Sequence, residues 1–157
     1  MTRLCLLLPL LAVACDGPAA MTSPTPSPEA SPVVRTDFSS DEAWERLRTR
    51  LSQPEADLVG LPADVTFVAD GRFRDATPDV LVADSALAGD FFFVADAGAM
   101  TDDMTLLAVD AATPPAGPPF RVAVDQVASV QVNLSIANMD WEDFADHVDG
   151  DGVFRGF

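Results

Sequence analysis

The chain has 157 residues, of which 48% are hydrophobic, and its 25 acidic and nine basic residues give a formal net charge of −16. This composition is too apolar for a disordered acidic tail, and the length suits one ordinary domain. The charge repels phosphate backbones and anionic headgroups, which argues against nucleic acid as a partner.

Residues 1–14 have the pattern of an export signal. Arg3 supplies a positive charge, and the apolar run Leu4–Leu11 that follows is too short to span a bilayer, which needs about 20 helical residues. Small residues then precede Cys15 in a way that resembles the signal of bacterial lipoproteins, so we expect cleavage before Cys15 and lipidation of that residue. An ordinary signal peptidase is the alternative, and its action would give a secreted protein instead of one anchored at the cell envelope.

Residues 15–32 comprise this cysteine and a tether rich in Pro, Ser and Thr, which has no apolar period. The globular domain is predicted over residues 33–157, a length that is sufficient for one core. Removal of Cys5 with the signal and acylation of Cys15 would leave this domain without a thiol or a disulfide.

The domain begins with a predicted strand at Val33–Phe38. Ser39 and Glu42 follow in capping-box spacing and predict the start of a helix. One face of that helix is apolar and carries Trp44, Leu47 and Leu51.

Two further strands are predicted to continue a parallel sheet. Val65–Val68 is a short apolar run, so strand, helix and strand form a right-handed crossover unit. Thr77 and Pro78 begin a second, short helix that carries Val80, Leu81 and Leu87, and Phe91–Ala95 is the third strand.

The second half of the domain is predicted to be antiparallel. Thr105–Val109 and Phe120–Val124 are strands, and the alternation from Val130 to Ile136 predicts another with one solvated face. Asp140 caps a last helix, whose apolar face holds Trp141, Phe144, Ala145 and Val148. The predicted fold is a single-domain mixed α/β sheet, parallel early and antiparallel late, with about three helices.

Two blocks of the sequence resemble one protein family. Arg35-Thr-Asp-Phe38 with Trp44 downstream, and the block NLSIANMDWEDFADHVDGDGVFRGF from Asn133 to Phe157, are similar to the DUF6924 domain family, an uncharacterised family found mainly in actinobacteria. The resemblance covers nearly all of residues 33–157. It implies a fold but no reaction, substrate or catalytic residue.

Aspartates follow several of the apolar runs. Since ligands of open α/β sheets collect beyond the carboxyl ends of parallel strands, Asp37, Asp70 and Asp96 are candidate catalytic residues that would hold Mg²⁺. The alternative, which we favour, is that these aspartates open turns after strands. The lysine that accompanies many phosphotransfer sites is absent from the chain.

A second candidate metal site lies near the C-terminus, where Asp149 and Asp151 alternate with glycines as in a calcium loop. The run lacks the closing glutamate of an EF-hand, so a solvated helix end with a glycine turn is the favoured interpretation. His147, the chain's single histidine, has no nucleophile motif beside it.

Arg35 and Arg155 stand in the two blocks that resemble the family. With few cations among many anions, we expect each to form a bidentate ion pair with a carboxylate. Binding of an anionic ligand is the alternative.

Two functions from different classes fit these observations. The favoured one is a non-catalytic module on the cell envelope, lipid-anchored and without a cofactor, whose acidic surface attracts a basic protein partner; a small immunity or inhibitor protein is one example. The other is a metal-dependent hydrolase that uses Asp37, Asp70 and Asp96 with Mg²⁺, or a Ca²⁺ site at Asp149 and Asp151.

Overall fold

The computed structural model of the protein describes residues 30–54, 61–87, 89–112 and 117–157. The predicted signal, Cys15 and most of the tether lie outside these ranges. The described residues form one six-stranded sheet in the order β2-β1-β3-β4-β5-β6. Its strands are β1 (Ser31–Arg35), β2 (Val65–Val68), β3 (Phe91–Ala95), β4 (Thr105–Asp110), β5 (Phe120–Ala123) and β6 (Val153–Phe154).

The sheet is mixed, as the sequence predicts. Strand β1 pairs in parallel with both β2 and β3, and β4 runs antiparallel to both β3 and β5. The short strand β6, which has no counterpart in the predicted elements, pairs in parallel with β5, so the C-terminal half is not purely antiparallel. Two helices lie between β5 and β6, and parallel neighbouring strands need a long connection of this kind.

Four α-helices cover the sheet within the described residues: α1 (Asp41–Leu51), α2 (Pro78–Val82), α3 (Val127–Ser135) and α4 (Trp141–Ala145). The N-cap of helix α1 lies one residue later than predicted. Ser40, not Ser39, is the N-cap, and its hydroxyl accepts a hydrogen bond from the Ala43 N–H at 3.1 Å. The predicted apolar face is confirmed, because Trp44, Leu47 and Leu51 are all buried.

The prediction of a strand at Val130–Ile136 is wrong, since this segment forms most of helix α3 and the turn after it. The helix buries Val127, Ala128, Val130 and Gln131, which share one helical face, and it leaves Ile136 67% exposed. Alternation by itself favours a strand, but Val127, Val130 and Leu134 also stand at helical spacing and pack together into the main core. The segment therefore fits both patterns, and packing against the rest of the chain decides between them.

Two cores lie on opposite faces of the sheet because side chains alternate along each strand. Val33 and Phe93 enter the main core, which α1, α3 and α4 cover with residues such as Leu47, Val130 and Phe144. Their neighbours Val34 and Phe92 enter the second core, where α2 contributes Leu81.

Helix α4 closes one end of the main core through aromatic contacts. Phe144 packs edge-to-face on Phe154 with ring centroids 5.3 Å apart, and Trp141 packs on Phe120 at 4.9 Å. The Trp141 indole N–H donates to the Pro118 carbonyl at 3.1 Å, so this buried side chain keeps a hydrogen-bond partner for its nitrogen. Over the described ranges, no helix has the length and apolar character needed to cross a membrane.

Adjacent residues of α2 provide a test of this packing. Leu81 is fully buried in the second core, whereas Val80 is 59% exposed. We expect Leu81→Ala to lower the free energy of unfolding by about 2–5 kcal/mol, because it leaves a cavity. The control Val80→Ala should change it by no more than about 0.5 kcal/mol. Urea denaturation followed by tryptophan fluorescence measures both, and equal effects would contradict the assigned orientation of α2.

Candidate functional site

The three candidate catalytic aspartates lie at one edge of the sheet. Strands β2, β1 and β3 are adjacent and parallel, so their carboxyl ends meet there, and Asp70, Asp37 and Asp96 follow these ends. We call this the carboxyl edge. The chain passes from β1 to β2 on one side of β1, and then from β2 to β3 on the other side. The carboxyl edge is therefore a topological switch point, where open α/β sheets bind ligands.

Each of these aspartates is engaged in its own turn. The carboxylate of Asp37 accepts a hydrogen bond from the Ser39 N–H at 2.7 Å, two residues further along the chain. The Asp70 and Asp96 carboxylates accept in the same way from the second N–H after them, at 3.0 and 2.9 Å. Aspartates stabilise turns by this bond. The carboxylates therefore share an edge, but each is directed to its own loop.

Asp96 also forms a bidentate ion pair with Arg121 of β5. The Arg121 Nη2 lies 2.6 Å and its Nη1 3.1 Å from the two Asp96 carboxylate oxygens. This bond raises the pKa of Arg121 and outweighs the effect of burial, which acts in the opposite direction. Gly98 allows the close approach, because a Cβ there would lie 2.5 Å from Nη1.

Arg35 ends β1 and is almost fully buried, with 4% of its surface exposed. Its Nε donates to the Asp37 carbonyl at 2.9 Å, and its Nη1 donates to the Asp41 carboxylate at 2.8 Å. The buried Nη2 has no hydrogen-bond partner among the described residues. The predicted ion pair is thus present, but with one bond where two were expected.

Aromatic rings supply the rest of the environment of Arg35. Its guanidinium lies over Phe38 at 4.5 Å and over Trp44 at 5.5 Å, and Arg74 approaches the same Phe38 ring at 4.6 Å. Such contacts stabilise a cation that burial has removed from water. The pKa of Asp37 is lowered, first by its hydrogen bond with Ser39 and then by the nearby Arg35 and Arg74 charges.

Near the C-terminus, Asp149 and Asp151 bind Arg155. The Arg155 guanidinium forms two bonds to the Asp151 carboxylate, at 2.9 and 2.8 Å, and one to Asp149 at 2.9 Å. The bond to Arg155 lowers the pKa of Asp151 to about 2, and the same contacts raise the pKa of Arg155. The two carboxylates that the sequence predicts as calcium ligands thus both bind the single positive charge of Arg155.

His147 is exposed and close to this loop. Its Nδ1 lies 2.7 Å from the Asp143 carbonyl, and since a carbonyl only accepts, Nδ1 carries the hydrogen. The imidazole packs edge-on against Phe157 at 5.2 Å. We infer that His147 stabilises the position of Phe157 against the end of α4.

A groove of about 260 Å³ lies near Arg155 and also contains Arg50, Asp103, Thr105 and Asp125. Arg50 has no ion pair with another described residue. Since two cations and two anions line the groove, it has no clear preference for ligands of one sign.

Residues 30–157 match the family model described as "Domain of unknown function (DUF6924)". The chain belongs to this family. Searches of curated proteins and of solved structures found no match.

The described part of this DUF6924 domain has no group of three or more His, Cys, Asp or Glu side chains placed to hold a metal ion. Asp37, Asp70 and Asp96 share the carboxyl edge, and Asp149 and Asp151 share an arginine, but neither set forms such a group. In this geometry the aspartates stabilise turns, and all but Asp37 form ion pairs with the half-buried Arg121 or with the exposed Arg72 and Arg155.

The Asp96–Arg121 pair is absent from the sequence-based candidates. The alternation Phe120-Arg-Val122 places Arg121 on the sheet face opposite its apolar neighbours. The orientation of Arg121 is therefore predictable from the sequence. Its partner is 25 residues distant and depends on how β4 pairs with its neighbours, so spacing does not reveal it.

The lowered pKa of Asp151 in the DUF6924 domain gives a pH-dependent prediction. Because its value of about 2 in the folded state is below that of the unfolded chain, the contribution of this pair to stability is present above about pH 4 and lost as the pH falls towards 2. In an NMR titration, Arg155→Gln should move the Asp151 midpoint upwards, towards about 3.9. The control Arg46→Gln, whose ion pair is with Glu42, should leave it unchanged.

Proposed function

We propose that this protein is a non-catalytic protein-binding module, anchored at the cell envelope through a lipid on Cys15, whose acidic surface selects basic partners. The placement of its carboxylates is the observation that carries this proposal. Every Asp and Glu in the described residues is exposed or half-buried. Charges at the surface attract an oppositely charged protein as it approaches, and they can contact it in the complex.

The protonation states of two carboxylates argue against general-acid catalysis by these groups. A carboxyl group that donates a proton near neutral pH needs a raised pKa, usually caused by burial. In this protein the pKa of Asp37 and that of Asp151 are displaced in the opposite direction. Both carboxylates therefore remain charged and proton-free at neutral pH.

Local ion pairs use only part of the acidic charge. Six of the described arginines bind carboxylates: Arg35, Arg46, Arg48, Arg72, Arg121 and Arg155. With 25 acidic residues in the chain, most carboxylates are left to contribute to the field around the molecule. That field steers basic partners and repels acidic ones.

Capture from a cell extract tests the proposal. The immobilised full-length chain should retain a basic protein at about 0.1 M salt and release it at about 1 M, because the Debye length falls from roughly 10 to 3 Å. An unrelated protein of similar size and negative charge serves as the control bait. Failure to recover a partner specific to this chain, or a partner still retained at high salt, contradicts the proposed mode of binding.

The anchor is tested separately. In bacteria fed an alkyne-labelled fatty acid, Cys15→Ser should abolish labelling and move the protein out of the membrane fraction. Cys5 lies in the segment predicted to be removed, so Cys5→Ser is a matched control that should retain both properties. Unchanged labelling of the Cys15 variant would show that the lipid is not on this residue.

A metal-dependent hydrolase that uses Asp37, Asp70 and Asp96 is the second candidate, favoured only by the common edge on which they lie. Titration of the full chain with Mg²⁺ and Mn²⁺ at fixed ionic strength distinguishes the two proposals. Saturable binding that Asp70→Asn abolishes would favour the enzyme. A response no larger than that of the salt control would favour the binding module.

A further inference from the structure

The two edges of the sheet differ in how their outer backbone groups are satisfied. At the β6 edge, the Val153 N–H donates to the Asp151 carboxylate at 3.2 Å, and the Val153 carbonyl accepts from the Asp149 N–H at 2.9 Å. The loop before β6 therefore closes that edge. Folded proteins commonly protect their sheet edges in such ways.

Among the described residues, the β2 edge has no comparable closure. The Ser31 N–H donates to the Asp64 carbonyl at 3.0 Å, so this carbonyl faces β1, whereas the Asp64 N–H donates to the Gln131 side chain at 3.4 Å. Since backbone groups alternate in direction along a strand, the N–H and C=O of Val65 and Phe67 point away from β1. No described residue provides them with a partner. Neither a charge nor a proline interrupts Val65–Val68.

A groove lies beside Phe67 of this edge, on the side that α1 covers. It has a volume of about 420 Å³, and apart from Phe67 its lining comes from α1 and the two residues that follow it. Arg48 covers the Phe67 ring at 5.3 Å, and Trp44 supports that ring edge-on at 5.8 Å. An open strand beside a helix is an arrangement in which an extended peptide pairs its backbone with the strand and places alternate side chains in the groove.

We propose that the β2 edge binds an extended, basic segment of a partner protein by strand addition. This inference rests on the protein-binding function proposed above and assigns that function a site. Backbone pairing with Val65 and Phe67 would provide affinity, and the groove would select every second side chain.

Charge identifies the occupant as a basic segment. Asp64 precedes β2 and Asp70 follows it, both exposed, and Arg72 lies 3.2 Å from Asp70. Arg48 in the groove is paired with Glu45, so among the described residues Asp64 is left without an arginine. A second copy of the chain would bring the same carboxylates, and another net charge of −16, to the shared edge. Like charges across paired strands are destabilising, whereas Lys or Arg beside the paired residues would be stabilised.

A library of random peptides displayed on phage, selected against the immobilised full-length chain, supplies the probe. We expect enriched peptides to combine β-branched or aromatic residues at alternate positions with Lys or Arg at their ends. Val65→Pro should weaken binding of a selected peptide by about tenfold or more, since it removes an outward N–H and blocks the edge. It leaves the ladder to β1 complete, as prolines in edge strands do. The matched control Val65→Ala shortens the same side chain but retains the N–H, so it should bind nearly as well as the unaltered chain.

Hydrogen exchange of the unaltered chain keeps the test decisive if Val65→Pro does not fold. The Val65 and Phe67 amides should exchange rapidly in the free chain and slowly with the selected peptide, whereas Thr66 should change little. Slow exchange of the two amides in the free chain would overturn the proposal, because the edge would already be occupied. A dimer in sedimentation that Val65→Pro dissociates would identify a second copy as the occupant and overturn the choice of a basic partner.

The site and the function can fail separately. If Val65→Pro binds the selected peptides as well as the unaltered chain does, or if no peptide is enriched, the β2 edge is not the site. The protein-binding function then still stands, provided that the salt-sensitive partner is captured from the extract. If that partner is also missing, the proposed function fails.

Discussion

Burial of the central strands on both faces is the constraint on which the rest of this structure depends. β3 is a continuous apolar run and β1 carries Val33 and Val34 at its centre, and in both strands neighbouring residues such as Phe92 and Phe93 enter different cores. Such strands are stable only if helices cover both faces of the sheet. The connection from β1 to β2 and the connection from β2 past β1 to β3 run in opposite directions across the sheet, and they place α1 and α2 on opposite faces.

The same topology determines where the charged residues meet. Parallel pairing brings the ends of β1, β2 and β3 to one edge, where the aspartates that end these strands stabilise the following turns. Arginines enter this acidic surface as ion pairs or against aromatic rings, as Arg121 and Arg35 do. A location that binds ligands in other α/β sheets is used here largely for structural bonds. Because these carboxylates are bonded within the chain, we place the proposed binding surface at a different part of the sheet.

The two outer strands of the sheet differ in whether their outward backbone groups are bonded. A sheet must end somewhere, and unpaired backbone groups at an edge attract other strands. The chain satisfies these groups at β6 with a loop of its own but not at β2 within the described residues. In the proposed mode of binding, the strong negative charge would disfavour pairing between copies of the chain and would favour a positively charged segment at the open edge.

The sequence by itself determined the signals that depend on near neighbours. Phe91–Ala95 has the predicted bounds, and the buried face of α1 is as expected, because both follow from local periodicity. The export signal and Cys15 are likewise local patterns, and they remain predictions. Tertiary structure decided whether Val130–Ile136 became strand or helix, since the alternation suits either and packing over the main core selects one. It also decided the partner of Arg121 and which strand edge stays open, because both depend on pairing between segments far apart in the chain, and local sequence carries no record of that pairing.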